Sequence, residues 1–142
     1  MPSQLQSPEV QAFATGFPVT LLHAGVTLIM LILGATLYAL MTPHKEITLI
    51  REGNSAAALS LGGVMVGLAI PLAVSLSAAT SVVEIVIWGA ATTAVQLLVF
   101  RCTDMVLKGL PERIQDGELS AAALLVGAKL STALILAAAV AG

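Results

Sequence analysis

Along this chain, long apolar stretches alternate with short polar ones, and the alternation is on the scale of whole helices rather than single turns. Four stretches, 17–41, 55–79, 82–100 and 119–141, each supply about the 20 residues that a helix needs to cross roughly 30 Å of hydrocarbon. They predict an all-α, polytopic membrane protein with four transmembrane helices. Between the second and third stretches stand only Thr80 and Ser81, which predicts a tight hairpin. The two longer polar segments, 42–54 and 101–118, are each expected to form an elbow.

The elbows carry their own local signals. Pro43 ends the first helix, because proline has no amide hydrogen and disfavours helical backbone in the residue before it. Ile47 and Ile50 share one side of a short turn, opposite Glu46 and Arg51, a pattern suited to the headgroup layer. Gly53 is expected to end that turn, with Asn54 or Ser55 capping the next helix. In the later elbow Pro111 suits a first helical turn, Ile114 faces the membrane, Gly117 terminates and Ser120 caps. His44 adds a polar group to the first elbow.

The two halves also resemble each other in sequence. "LIREGNSAAAL" at 49–59 aligns with "RIQDGELSAAAL" at 113–124, with one extra residue before the second "SAAAL". The organisation expected is an N-terminal segment 1–16, a first helix pair 17–79 and a second pair 80–142. With two spans in each half, the halves keep one orientation, giving two parallel helix-elbow-helix repeats.

Composition agrees with the membrane reading and removes several function classes. Apolar residues make up 58% of the 142 and charged residues 10%, far from the balance of a soluble domain. A net charge of −2 and the lack of a basic tract argue against a nucleic-acid partner. The single cysteine, Cys102, leaves no intrachain disulfide and no zinc spacing, and lone His23 and His44 give no metal-ligand pattern. No nucleophile-base pair, phosphate loop or paired carboxylate is evident, so neither an enzyme nor a cofactor is expected. Lys45, Arg51, Arg101, Lys108 and Arg113 all fall in the elbow segments, which places the elbows in the cytoplasm and both termini outside. The first span follows no basic segment and is expected to remain rather than be cleaved as a signal peptide.

The run "TPHKEITLIREGNSAAALSLGGVMVGLAIPLA" at 42–73, with "WGAATTAVQLLVF" at 88–100, resembles the YjfL-type family of small bacterial inner-membrane proteins, catalogued as a domain of unknown function. The resemblance implies a four-helix inner-membrane protein with duplicated halves. It brings no activity and no catalytic residues. The family's association with envelope-stress and ATP-grasp-type gene neighbourhoods makes other envelope proteins candidate partners, beside the lipid bilayer.

Within the spans, small residues supply faces for close helix packing: Gly63 and Gly67, Gly89 with Thr93, and Gly127 with Ser131. Such faces serve contacts within one bundle or between copies, and a homo-oligomer is expected. Pro71 interrupts the second span and predicts a kink. Thr92, Thr93 and Gln96 put polar groups on the third span, where hydrogen bonding between helices competes with a ligand path. Glu84 lies one turn from the outer boundary. Lys129, near the middle of the fourth span, costs on the order of 3 kcal/mol to insert as a charge. Its stem leans toward the elbow end, so three outcomes are open. The ammonium reaches Gln96 or a hydrated vestibule, loses its proton, or lines an oligomeric path as a ring of positive charge. Two functions are compatible with this pattern: a non-enzymatic, self-associating membrane module, or an oligomeric ion channel or transporter using Lys129 with Thr92, Thr93 and Gln96.

Overall fold

The computed structural model describes residues 7–42 and 45–142. Pro43 and His44, expected in the first elbow, lie outside the described residues. The described chain forms α1 (Pro8–Met41), α2 (Glu46–Arg51), α3 (Ser55–Ala78), α4 (Val82–Val106), α5 (Leu110–Gln115) and α6 (Leu119–Ala141). Of these α1, α3, α4 and α6 are long and apolar enough to cross a membrane.

Two helices outrun their apolar stretches, because caps and not hydropathy decide where a helix ends. The hydroxyl of Ser7 accepts the Val10 amide and Pro8 fills the first turn, so α1 starts nine residues before Phe17 and runs for 34 residues, with Pro18 inside it. Residues 8–16 are therefore helix, with Phe13 and Phe17 stacked at 4.9 Å on the exposed surface. Helix α4 continues past Phe100 to Val106, carrying Arg101 and Asp104 with it. At the α3–α4 hairpin the Ser81 hydroxyl accepts the Glu84 amide, and Glu84 accepts the Thr80 amide at 2.7 Å, a reciprocal cap.

The two elbows close with the same geometry. Gly53 (φ +89°) and Gly117 (φ +83°) take the left-handed backbone, which glycine adopts without a Cβ clash. In each, paired amide bonds return to the short helix: Gly53 to Ile50 O and Asn54 to Leu49 O, Gly117 to Ile114 O and Glu118 to Arg113 O. The caps of the two succeeding helices differ. Asn54 caps α3 through its own carboxamide, accepting from the Ala57 amide at 3.0 Å, while its Nδ2 donates to Ile114 O and Gln115 O of α5. The cap of α6 is Glu118, not Ser120, and its carboxylate is spent on Arg113 at 2.5 Å. Glu46 also departs from the headgroup reading: it is 2% exposed, turned into the bundle, while Ile47 is exposed.

Helices α3 and α6 share the most extensive interface, with α4 against both and α1 against α3 and α4. At the elbow end Ala56 and Ala57 meet Ala121, Ala122, Leu125 and Ile114. Small residues permit this approach, which in lipid supplies the packing energy that the hydrophobic effect does not. Gly63 faces Val126, Gly67 faces the Phe100 ring, and Gly89 faces Met30 and Leu72. A Cβ on Gly63 would stand 2.5 Å from Val126 Cγ2 and 2.7 Å from Cγ1, and valine's stiff χ1 leaves no easy retreat. Gly63→Ala is thus expected to cost about 1–3 kcal/mol of bundle stability. Gly62→Ala, at a neighbouring open position, is the matched control. Unfolding by steric trapping in bicelles compares them, and equal stabilities would contradict this packing.

Gly127 and Ser131 form no such contact. Both are exposed, and Gly127 has nothing within 4 Å of its Cβ position, so their small-residue face looks outward instead of into the bundle. Pro71 is buried inside α3, which stays helical through it to Ala78.

Candidate functional site

The polar centre of the bundle forms because three helices each bring one side chain to the same depth. Lys129 lies ten residues into α6, and its stem leans toward the helix N-terminus and so toward the elbow end. Asp104 stands two residues before the end of α4, and Tyr38 three before the end of α1. The Lys129 ammonium pairs with Asp104 Oδ1 at 2.8 Å and donates to the Tyr38 hydroxyl. That hydroxyl in turn donates to Asp104 Oδ2 at 2.9 Å. Lysine, tyrosine and aspartate thus close a ring of hydrogen bonds.

Aromatic faces complete the enclosure. Lys129 Nζ lies 4.5 Å from the Tyr38 ring centroid and 5.6 Å from that of Phe100, and the two rings meet edge to face at 89°. Lys129 is 0% exposed, Tyr38 1% and Phe100 0%. An ammonium so far from water is tolerable only when paired and hydrogen-bonded, and here it is both. Arg101, 3.7 Å from Asp104 and partly exposed, and Glu46 from α2 add one charge of each sign close enough to act on Lys129. The two cations and two carboxylates balance.

Gln96 is fully buried one layer deeper, and its Nε2 donates to the Thr132 hydroxyl at 3.3 Å. Thr132 donates to the Lys129 carbonyl at 2.8 Å, so Gln96 is tied to the lysine's backbone and not to its ammonium. Gln96 Oε1 is buried without a hydrogen-bond partner. Thr92 turns its hydroxyl back onto Trp88 O of its own helix, and Thr93 sits beside Gly34 of α1. The four polar residues singled out in the spans therefore do not line one continuous path. Lys129 and Gln96 are neighbours through Thr132, while Thr92 and Thr93 make other contacts.

Sequence reading alone misses Asp104, Tyr38 and Phe100. The apolar stretch stops at Phe100, which puts Asp104 in an elbow, yet one signal is present: Thr92, Gln96, Phe100 and Asp104 recur every fourth residue, the spacing of one helix face. Tyr38 offers no periodic signal, since its role depends on where α1 docks. Among the described residues, no three His, Cys, Asp or Glu side chains group as metal ligands.

Comparison with known proteins fits this architecture. The inner membrane protein YjfL of Escherichia coli K12, described as UPF0719, is 35% identical over 85 residues, covering 60% of this chain and 64% of that protein. The YjfL protein of Escherichia coli O157:H7 matches to the same extent. The chain thus spans just under two thirds of the length of these curated relatives. No solved structure matches it. The model of the family described as Domain of Unknown Function (DUF350) matches residues 12–140, nearly the whole sequence, and this four-helix membrane protein belongs to that family.

Proposed function

We propose that this protein is a non-enzymatic, self-associating module of the bacterial inner membrane, with its elbows in the cytoplasm and both termini outside. The relatives' description as inner membrane proteins supports the location, and the basic residues of the elbows support the orientation. The observation that carries the reading is how the lysine is used. Lys129 is consumed inside one bundle by Asp104 and Tyr38, whereas a charge-selecting ring between subunits needs it on an outer surface. What the bundle leaves outward is the small-residue face of α6 at Gly127 and Ser131, and this is the face assigned to the partner copy. The two elbows, alike in geometry and joined by Asn54, form the surface for envelope protein partners.

Gly127→Leu tests the assignment, because the added side chain meets open space in the protomer and obstructs only a neighbour. Single-molecule photobleaching in liposomes is expected to show the oligomer shifting toward monomer, with unfolding stability unchanged. An unaltered subunit distribution would remove α6 as the interface. Chloride flux through liposomes holding the wild-type protein would instead favour the channel reading.

A further inference from the structure

At the hairpin end of the bundle, opposite the elbows, the last turn of α3, the first two turns of α4 and the last turn of α6 surround a cavity of about 300 Å³. It is lined by Ser75, Ala78, Ala79, Glu84, Trp88 and Val140. Ser75 is 4% exposed, and its Oγ has no hydrogen-bond partner among the described residues. A hydroxyl on an apolar helix commonly turns back onto the carbonyl one turn earlier, as those of Thr92 and Ser131 do here. The Ser75 hydroxyl makes no such bond, and a buried hydroxyl left unmet is costly. The cavity it lines is far larger than the roughly 30 Å³ share of a single water. The other polar side chain of the lining is Glu84. Its Oε2 accepts the Thr80 amide and hydroxyl, which leaves Oε1 uncommitted. Trp88 follows four residues later on the same face of α4 and gives the cavity an aromatic wall. The last carbonyls of α3 add the negative end of a helix dipole. No lining residue is basic, so the formal charge at the cavity is that of one carboxylate.

We propose that this cavity binds a primary ammonium group, with Glu84 and Ser75 Oγ accepting its N–H bonds and the Trp88 ring flanking its charge. A hard metal ion is a poor match, because one carboxylate and one hydroxyl supply too few oxygens for its coordination shell. A quaternary ammonium has no N–H to offer the unmet hydroxyl. Tryptophan near a helix end belongs to the membrane–water boundary, where a primary ammonium comes from two sources: the headgroup of an aminophospholipid and a soluble alkylammonium. Both bring the same chemistry to the same acceptors. The site lies within one protomer, apart from Lys129 and from the Gly127 and Ser131 face, and does not depend on self-association.

The chain has a single tryptophan, so its fluorescence reports from the wall of the site itself. The full-length protein in phosphatidylcholine nanodiscs is titrated in two arms. In one, phosphatidylethanolamine replaces phosphatidylcholine; in the other, ethanolammonium is added to the water, with tetramethylammonium as its control. Trp88 emission is expected to change saturably in at least one arm. A response to phosphatidylethanolamine alone assigns the lipid headgroup, and a response to ethanolammonium assigns the soluble amine; either supports the site. Glu84→Gln keeps an acceptor for the Thr80 amide and so keeps the cap, yet is expected to weaken the response about tenfold or more. Ser75→Ala removes a hydroxyl that has no partner in the bundle, so it is expected to fold as wild type and bind about threefold or more weakly. Ser77→Ala is the matched control, since its hydroxyl bonds Val74 O and does not line the cavity; its response is expected to equal wild type. The proposal is overturned if neither arm changes the emission or if tetramethylammonium matches ethanolammonium. It is equally overturned if the response survives at full strength in Glu84→Gln or in Ser75→Ala, which would make it an effect of the bilayer and not of the site.

Discussion

Lys129→Met is expected to destabilise the bundle by about 3–5 kcal/mol, more than the other single substitutions proposed, because it strands the Asp104 carboxylate inside the protein. The cost arises less from the lost attraction than from the charge left behind. Adding Asp104→Asn to the same chain is therefore expected to recover most of it, since the amide keeps a partner in the Tyr38 hydroxyl and bears no charge. A double-mutant cycle, read by steric trapping or reversible SDS unfolding, measures the coupling. A coupling near zero would mean that Asp104 and Lys129 do not meet.

The second large effect falls at the elbows. Asn54 spends every hydrogen-bonding group of its side chain: Oδ1 holds the Ala57 amide, and Nδ2 holds the carbonyls of Ile114 and Gln115. Asn54→Ala removes the cap of α3 and two bonds to α5 together. A lost cap costs about 1 kcal/mol and each hydrogen bond a similar amount, so a loss of about 2–3 kcal/mol is expected. Asn54→Asp separates the two roles, since aspartate still caps but cannot donate to the carbonyls. Its stability is expected to fall between those of wild type and Asn54→Ala. Hydrogen exchange of the α5 amides is the direct readout, with faster exchange in both variants; unchanged exchange would show that Asn54 does not hold the elbows together.

The parts of this protein legible in sequence are those governed by local chemistry and by lipid as solvent. Four apolar stretches of membrane-spanning length identify the helices, because a backbone in hydrocarbon must satisfy its hydrogen bonds within its own segment. Gly53 and Gly117 mark the ends of the short elbow helices through a backbone geometry that glycine carries by itself. Lys129 stands out for the same reason, since a charge amid apolar neighbours is costly wherever the helix goes. Its partner does not stand out. Asp104 lies beyond the apolar stretch of α4, and it becomes intramembrane company for Lys129 because α4 stays helical to Val106 and the lysine stem leans toward that end. Glu46 turns inward for a related reason: a six-residue helix has no strong preference for either face, and the polar centre of the bundle is what it meets. Gly63 and Gly127 present the same small surface in sequence, yet one meets Val126 and the other meets nothing. Periodicity tells which residues share a face of one helix. Which face finds a neighbour depends on how the helices are arranged around each other, and in lipid, where all faces are similarly apolar, that arrangement comes from shape and from a few buried polar pairs whose members lie far apart in the chain.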